Sequence, residues 1–209
     1  MTDELAQTAG PPNGPRIVLL GPAGSGKTTV AQLLARRLGC PLVDLDAVAE
    51  PYYAEAGWSM RRLSERIARD GRVAAERAWE PARAHAVQRA IEDHPGSVLA
   101  LGAGHGSFHS PQAQAVVARA LGQVESVVLL LPSRERALAL RILRERCKAS
   151  KGTDWISEGH DFLAEWHDDP FTRQLASTTV YTANQTPAQS AAAVLAACQL
   201  EAGARATHA

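Results

Sequence analysis

Short, unbroken apolar runs alternate along this chain with longer stretches in which apolar residues recur every three to four positions. Ile17-Val18-Leu19-Leu20 and Val127-Val128-Leu129-Leu130-Leu131 contain no polar residue, the pattern of strands covered on both faces. Five strands are predicted: Arg16–Leu20, Pro41–Leu45, Ser97–Leu101, Ser126–Leu131 and Thr178–Tyr181. The Ala-, Arg- and Leu-rich stretches between them have helical spacing, so the alternation predicts an α/β fold, a five-stranded parallel sheet with helices on both faces. Helix punctuation agrees with this frame. Gly39 stands where the first helix should close, Ser110-Pro111 and Ser133 where later ones should open, and Thr186-Pro187-Ala188-Gln189 is a capping box with proline at the first helical position.

Between the fourth and fifth strands, residues 144–161 break the alternation with Arg144, Arg146, Lys148, Lys151 and Gly152. Such a stretch is either a mobile lid over a site or a solvated connection. Residues 15–203 are expected to form one domain, and 1–14 and 204–209 a flexible leader and tail.

Composition narrows the function. The chain has 209 residues, 45% hydrophobic and 21% charged, enough to bury one sizeable core. Its 22 basic and 22 acidic residues cancel, which offers no footprint for nucleic acid or an anionic membrane. No apolar run approaches the ~20 residues that cross a bilayer. The polar N-terminus is unlike a signal peptide, and Cys40, Cys147 and Cys198 show no CxxC spacing, so a reducing cytoplasm without disulfides is expected. His105 and His109 lie in a Gly-rich segment before Pro111 and are expected as loop histidines, not zinc ligands.

Lysine occurs only at 27, 148 and 151, and the first closes a motif. Gly21-Pro22-Ala23-Gly24-Ser25-Gly26-Lys27-Thr28 matches G-x-x-x-x-G-K-[ST] between a predicted strand and helix. Its glycines turn backbone N–H groups inward around phosphate oxygens, the helix N-terminus adds positive potential, Lys27 neutralises β/γ charge, and the Thr28 hydroxyl reaches Mg²⁺. Thr29 follows on the same helix start. Asp44 and Asp46 are two residues apart at the end of the second strand, on one side of the pleat and at the carboxyl edge where such sheets bind ligands. One is suited to a Mg²⁺-bound water or to a hydroxyl proton, the other to an acceptor hydroxyl. Gly102-Ala103-Gly104 ends the third strand with residues small enough for a ligand to approach backbone. Arg77 and Glu80, i and i+3 on a helix, are either a surface ion pair or an arginine buttressed toward an acceptor.

Together these residues resemble the shikimate kinase family of the nucleoside-monophosphate-kinase-like P-loop phosphotransferases, over about Arg16–Ala197. Beyond the phosphate loop and the two aspartates, Gly57-Trp58-Ser59-Met60, Arg77-x-x-Glu80, Leu99-Ala100-Leu101-Gly102-Ala103-Gly104 and Ser110-Pro111 carry the likeness. The resemblance implies a three-layer P-loop kinase fold with a lid, ATP and Mg²⁺ as cofactors, and an ATP site of Gly21, Gly24, Ser25, Gly26, Lys27, Thr28, Thr29 and Arg141. It implies Thr28 and Asp44 for the metal, Arg144 or Arg146 as the catalytic lid arginine, and Asp46, Arg77, Gly102, Ala103 and Gly104 around the acceptor.

The sequence departs from the family at Ala103, in a lid without Arg-Pro-Leu-Leu, in extra residues between Glu50 and Arg77, and at Asp168, where the family carries a second carboxylate-binding arginine. Asp168 in the acceptor site would favour a neutral polyol or an amine over a carboxylate; the alternatives are that Arg173 fills the clamp or that Asp168 points to solvent. The expectation is therefore an ATP-dependent kinase of a small hydroxylated metabolite with an altered acceptor site, working as a monomer or weak dimer without nucleic acid or membrane partners. A sugar acid, a nucleoside and a hydroxylated antibiotic are the alternative acceptors. A regulatory NTPase is the reading outside this class, but the third and fourth strands end in Leu101-Gly102 and Leu131-Pro132, without the acidic pair such proteins use.

Overall fold

The computed structural model describes residues 14–200, so the expected leader, apart from Gly14, and the expected tail lie outside the described residues. In chain order the strands are β1 (Ile17–Leu20), β2 (Leu42–Asp44), β3 (Val98–Ala100), β4 (Val127–Leu131), β5 (Ile156–Ser157), β6 (His160–Asp161) and β7 (Thr178–Tyr181). The helices are α1 (Lys27–Leu38), α2 (Leu45–Val48), α3 (Glu50–Glu55), α4 (Met60–Asp70), α5 (Arg72–Asp93), α6 (Pro111–Leu121), α7 (Arg136–Lys151), α8 (Phe162–Asp168), α9 (Pro170–Leu175) and α10 (Pro187–Ala197), with a 3-10 turn at Ala103–Gly106.

The main sheet has the order β2-β3-β1-β4-β7, every neighbour parallel. β1 is central and wholly buried. Its alternation, hidden in an unbroken apolar run, divides the core: Ile17 and Leu19 pack with Val30, Leu34 and Leu195 of α1 and α10, while Val18 and Leu20 pack with Ala86, Val87 and Val117 of α5 and α6. Helices thus cover both faces of the sheet.

The helix signals act as expected except Ser133, which accepts from Glu135 N in the turn before α7 and does not cap that helix. Gly39 closes α1 with a left-handed φ of 63°, Ser110 caps α6, and the Thr186–Gln189 capping box opens α10. Residues 144–161 differ from a plain loop. Leu140, Leu143 and Cys147 bury one face of α7 against Ala23, Phe162 and Trp166, so the helix runs to Lys151, and a short antiparallel hairpin, β5-β6, follows. Among the described residues no helix is long and apolar enough to cross a membrane.

Candidate active site

The β1–α1 connection is built from glycines. Gly21, Gly24 and Gly26 take φ of 143°, 78° and 95°, backbone states that cost other residues energy. A Cβ on Gly21 would also run into the Leu130 carbonyl of the adjacent strand, and one on Gly24 would stand 3.0 Å from Cys147 Sγ. The loop is therefore wedged between the sheet and α7. Lys27 folds back over it, its Nζ donating to the carbonyls of Gly21 at 2.7 Å and Pro22 at 3.0 Å. Burial lowers the Lys27 pKa to about 8, against the opposing charges of Asp46 and Asp44. The Ser25 hydroxyl is buried without a partner among the described residues, a donor that a phosphate oxygen would satisfy. These groups fit a nucleoside triphosphate.

Alongside the loop lies a cavity of about 290 Å³ lined by Gly24, Gly26, Thr29, Arg146, Thr182 and Gln185, among others. Arg146 reaches the Gly24 carbonyl at 3.3 Å. Arg141, expected at the nucleotide, is exposed and outside this cavity. The two are five residues apart on α7, about 140° around the helix, so they cannot share a face. Arg144, the other expected lid arginine, pairs with Asp161 of the hairpin; Asp161 also caps α8 through Ala164 N.

The two aspartates take different neighbours. Asp44 Oδ2 accepts from Thr28 Oγ1 at 2.9 Å, an oxygen pair suited to Mg²⁺, which keeps several waters and needs few protein ligands. Asp46, two residues on, is not on the same pleat as expected, because β2 stops at Asp44, which caps α2, and Asp46 belongs to that helix; it lines a second cavity of about 390 Å³.

That cavity is where the acceptor residues gather, and its wall differs from the expected one. Along α5, Arg72, Glu76, Trp79 and Arg83 follow one another at spacings of four, three and four, a single helix face, and all four line it. Arg77, expected there, is one position round, about 100° off that face. It pairs instead with Glu165 at 3.4 Å and lies 3.6 Å from Glu80. Glu80 is 2% exposed and holds the segment before α6 by accepting from His109 N and Ser110 N. Arg77 is thus placed between two carboxylates and does not line the cavity. Asp168 is likewise outside the cavity, where it grips Arg136 at 2.7 Å and His167 Nδ1 at 2.8 Å.

Arg83 is buried, with its guanidinium 5.5 Å from the Trp79 ring centroid. It donates to the carbonyls of Gly104 and, at 3.3 Å, Glu76; burial lowers its pKa. Arg72 lies over Trp155 at 4.8 Å and pairs with Glu76 at 3.4 Å. The hairpin closes this side, for the Glu158 carboxylate accepts from Arg72 N at 2.6 Å and Trp155 and Lys151 join the lining. A Cβ on Gly102 would overlap Asp46 and one on Gly104 would overlap Arg83, so a larger residue at either would displace those side chains, and Ala103 lines the cavity between them. Among the cavity residues, Arg72 Nε, Arg83 Nε, Trp79 Nε1, Trp155 Nε1 and His105 Nδ1 are buried without a partner among the described residues. Every certain donor in that set seeks an oxygen. His105, expected in a solvated loop, is 3% exposed because the 3-10 turn tucks it against Tyr53 and Trp79.

Comparison with known proteins agrees with this architecture. A family model described as an AAA domain matches residues 17–153. A shikimate kinase of Thermobifida fusca is 31% identical over 190 residues, covering 85% of this chain and 91% of that protein. One from Rhodococcus jostii is 38% identical over 90 residues, 43% of this chain and 47% of that protein. The structure of shikimate kinase from Acinetobacter baumannii in complex with shikimate superposes with a TM-score of 0.60 at 22% identity, over 87% of this chain and 90% of that one. The chain belongs to the shikimate kinase family of P-loop kinases and is an ATP-dependent small-molecule kinase.

Proposed function

We propose that this kinase transfers the γ-phosphoryl of ATP to a hydroxyl of a small, oxygen-rich metabolite held in the cavity beside Asp46. One observation carries the reading: at the end of β2, Asp44 is bonded to the phosphate-loop threonine while Asp46 opens into the second cavity. A single short segment thereby serves both sides of a phosphoryl transfer. Mg²⁺, held through Thr28 and Asp44, would neutralise charge on the β- and γ-phosphate oxygens. Lys27 moves from the loop carbonyls to the phosphates, and Arg146 adds charge from α7. Asp46 orients the acceptor hydroxyl and takes its proton. Little covalent chemistry falls to the protein; positioning and charge stabilisation supply the acceleration.

The acceptor site is altered relative to the family pattern, with Arg72 and Arg83 as its arginines and Tyr53, Trp79, Trp155 and Trp166 in its wall. The Arg72 and Arg83 guanidinium groups favour an acceptor rich in oxygen, and the aromatic wall favours one with a flat or apolar face. This supports a sugar acid, a nucleoside or a hydroxylated antibiotic as readily as shikimate. Screening shikimate, sugar acids, polyols, amino alcohols and nucleosides for acceptor-stimulated ADP release tests the reading. Stimulation by one class is the expected result. ATP hydrolysis indifferent to every acceptor would favour a regulatory NTPase instead.

A further inference from the structure

His105 has no part in the transfer just described, yet it is enclosed beside the acceptor carboxylate. Its Nε2 stands 2.7 Å from the Tyr53 hydroxyl, and Tyr53 is buried edge-on to Trp79. Burial pushes the phenol pKa up, so the hydroxyl keeps its proton and can donate. A neutral imidazole that accepts at Nε2 carries its own proton at Nδ1. That Nδ1 is buried, has no hydrogen-bond partner among the described residues and faces Asp46 Oδ1 at 3.8 Å.

Gly102 completes the seat. A Cβ there would overlap Asp46 Oδ1 and come within 2.5 Å of His105 Nδ1, so these groups meet over a bare Cα. Asp46 Oδ1 is lodged between the glycine and the imidazole, while the side chain as a whole stays 59% exposed. A shift of roughly 1 Å would bring Oδ1 within hydrogen-bond range of Nδ1.

We infer that His105 is a positioning residue: held by Tyr53 with its proton on Nδ1, it donates to Oδ1 of Asp46 and leaves the other carboxylate oxygen for the acceptor hydroxyl. The inference rests on the reading of Asp46 as the acceptor-side carboxylate. Burial is the largest influence on the ring; the Arg83 and Lys27 charges act with it and the Asp46 carboxylate and Gly102 carbonyl against it, and the pKa is held down to about 4. The ring is therefore neutral at physiological pH, as a donor to a carboxylate without proton transfer requires.

Two near-isosteric replacements separate the nitrogens. Asparagine keeps an amide N–H where Nδ1 stands, whereas glutamine places its amide where Nε2 stands and offers nothing to Asp46. In the full-length protein, long-range ¹H–¹⁵N spectra are expected to show a neutral His105 protonated on Nδ1 from about pH 5.5 to 8, with the Nδ1 resonance moved by Asp46→Ala. With the acceptor found by ADP release, His105→Gln is expected to lower kcat about tenfold or more at unchanged KM for ATP, and His105→Asn to lose severalfold less. Tyr53→Phe, which releases the tautomer, is expected between them. An Nε2–H tautomer, a ring that titrates near its ordinary value, or equal losses in the two His105 variants would overturn the inference. If no acceptor stimulates ADP release, the kinase reading of Asp46 fails separately, and an Nδ1 resonance indifferent to Asp46→Ala overturns the His105–Asp46 contact by itself.

Discussion

Thr28 Oγ1 donates to Asp44 Oδ2 across 2.9 Å, tying the end of the phosphate loop to the end of β2. Asp46 lies one step along the same edge with its carboxylate in the neighbouring cavity. The two aspartates should therefore fail differently. Asp44→Asn is expected to lower kcat and shift the Mg²⁺ dependence to higher concentration, whereas Asp46→Asn should also raise the acceptor KM. Steady-state kinetics at varied Mg²⁺ and varied acceptor check this, and matching profiles would remove the division.

Lys27 trades stability for function. Its ammonium is buried with only loop carbonyls as partners, and burial lowers its pKa to about 8. Below that pH the folded protein carries a charge that the unfolded chain solvates better; between about 8 and the ordinary lysine value the folded state binds fewer protons, so this penalty fades as pH rises. Lys27→Met is accordingly expected to lower turnover by about 100-fold or more while the melting temperature at neutral pH holds or rises. In the unmodified enzyme, kcat/KM for ATP should fall as pH rises through about 8, because free Lys27 loses the charge that meets the phosphates. A thermal melt and a pH–rate profile read the two effects.

Arg146 and Arg141 test the nucleotide side. The first touches the Gly24 carbonyl and lines the cavity beside the loop; the second is exposed on another face of α7. Arg146→Ala is expected to raise the KM for ATP severalfold, with Arg141→Ala close to the unmodified enzyme. The reverse order would mean that nucleotide binds away from this cavity.

On the acceptor side, Arg83 and Asp168 form the contrast. Arg83 serves the carbonyls of Gly104 and Glu76 from a buried position, and a lysine lacks the planar fork to do both. Arg83→Lys is expected to lower the melting temperature and raise the acceptor KM. Asp168→Asn weakens a half-exposed pair with Arg136 and keeps an amide oxygen for His167 Nδ1, and is expected to leave the acceptor KM within about twofold. A large rise in acceptor KM on Asp168→Asn would return that residue to the site.

Much of the frame was legible because it is written in local chemistry. Short apolar or β-branched runs, two of them unbroken, located the five parallel strands of the main sheet within a residue or two, and the Gly39 closure and the Thr186 box marked helix ends where they occur. The acceptor wall was not legible in the same way. The Arg77-x-x-Glu80 pattern drew attention to one side of α5, and the signal that counts, Arg72, Glu76, Trp79 and Arg83 at helical spacing, lies one position away. His105 looked solvated because glycines surround it, yet those glycines are what let the turn pack beneath α5.

The sequence by itself determined where phosphate can be held, since a glycine-rich turn between a buried strand and a helix, with lysine and threonine at its end, presents its donors through backbone geometry confined to eight residues. It also set both aspartates beside the carboxyl end of the second strand, though not on one pleat: β2 ends at Asp44, which caps α2 through Asp46 N, and Asp46 stands on the first turn of that helix. Only the tertiary structure decided what stands opposite them. Which face of α5 meets the cavity, and whether Arg77, Asp168 or Arg141 reaches it, depends on how that helix, α7 and the hairpin pack against the sheet. A rotation of 100° between adjacent helical residues is enough to move a charge from the site to an ion pair on its flank.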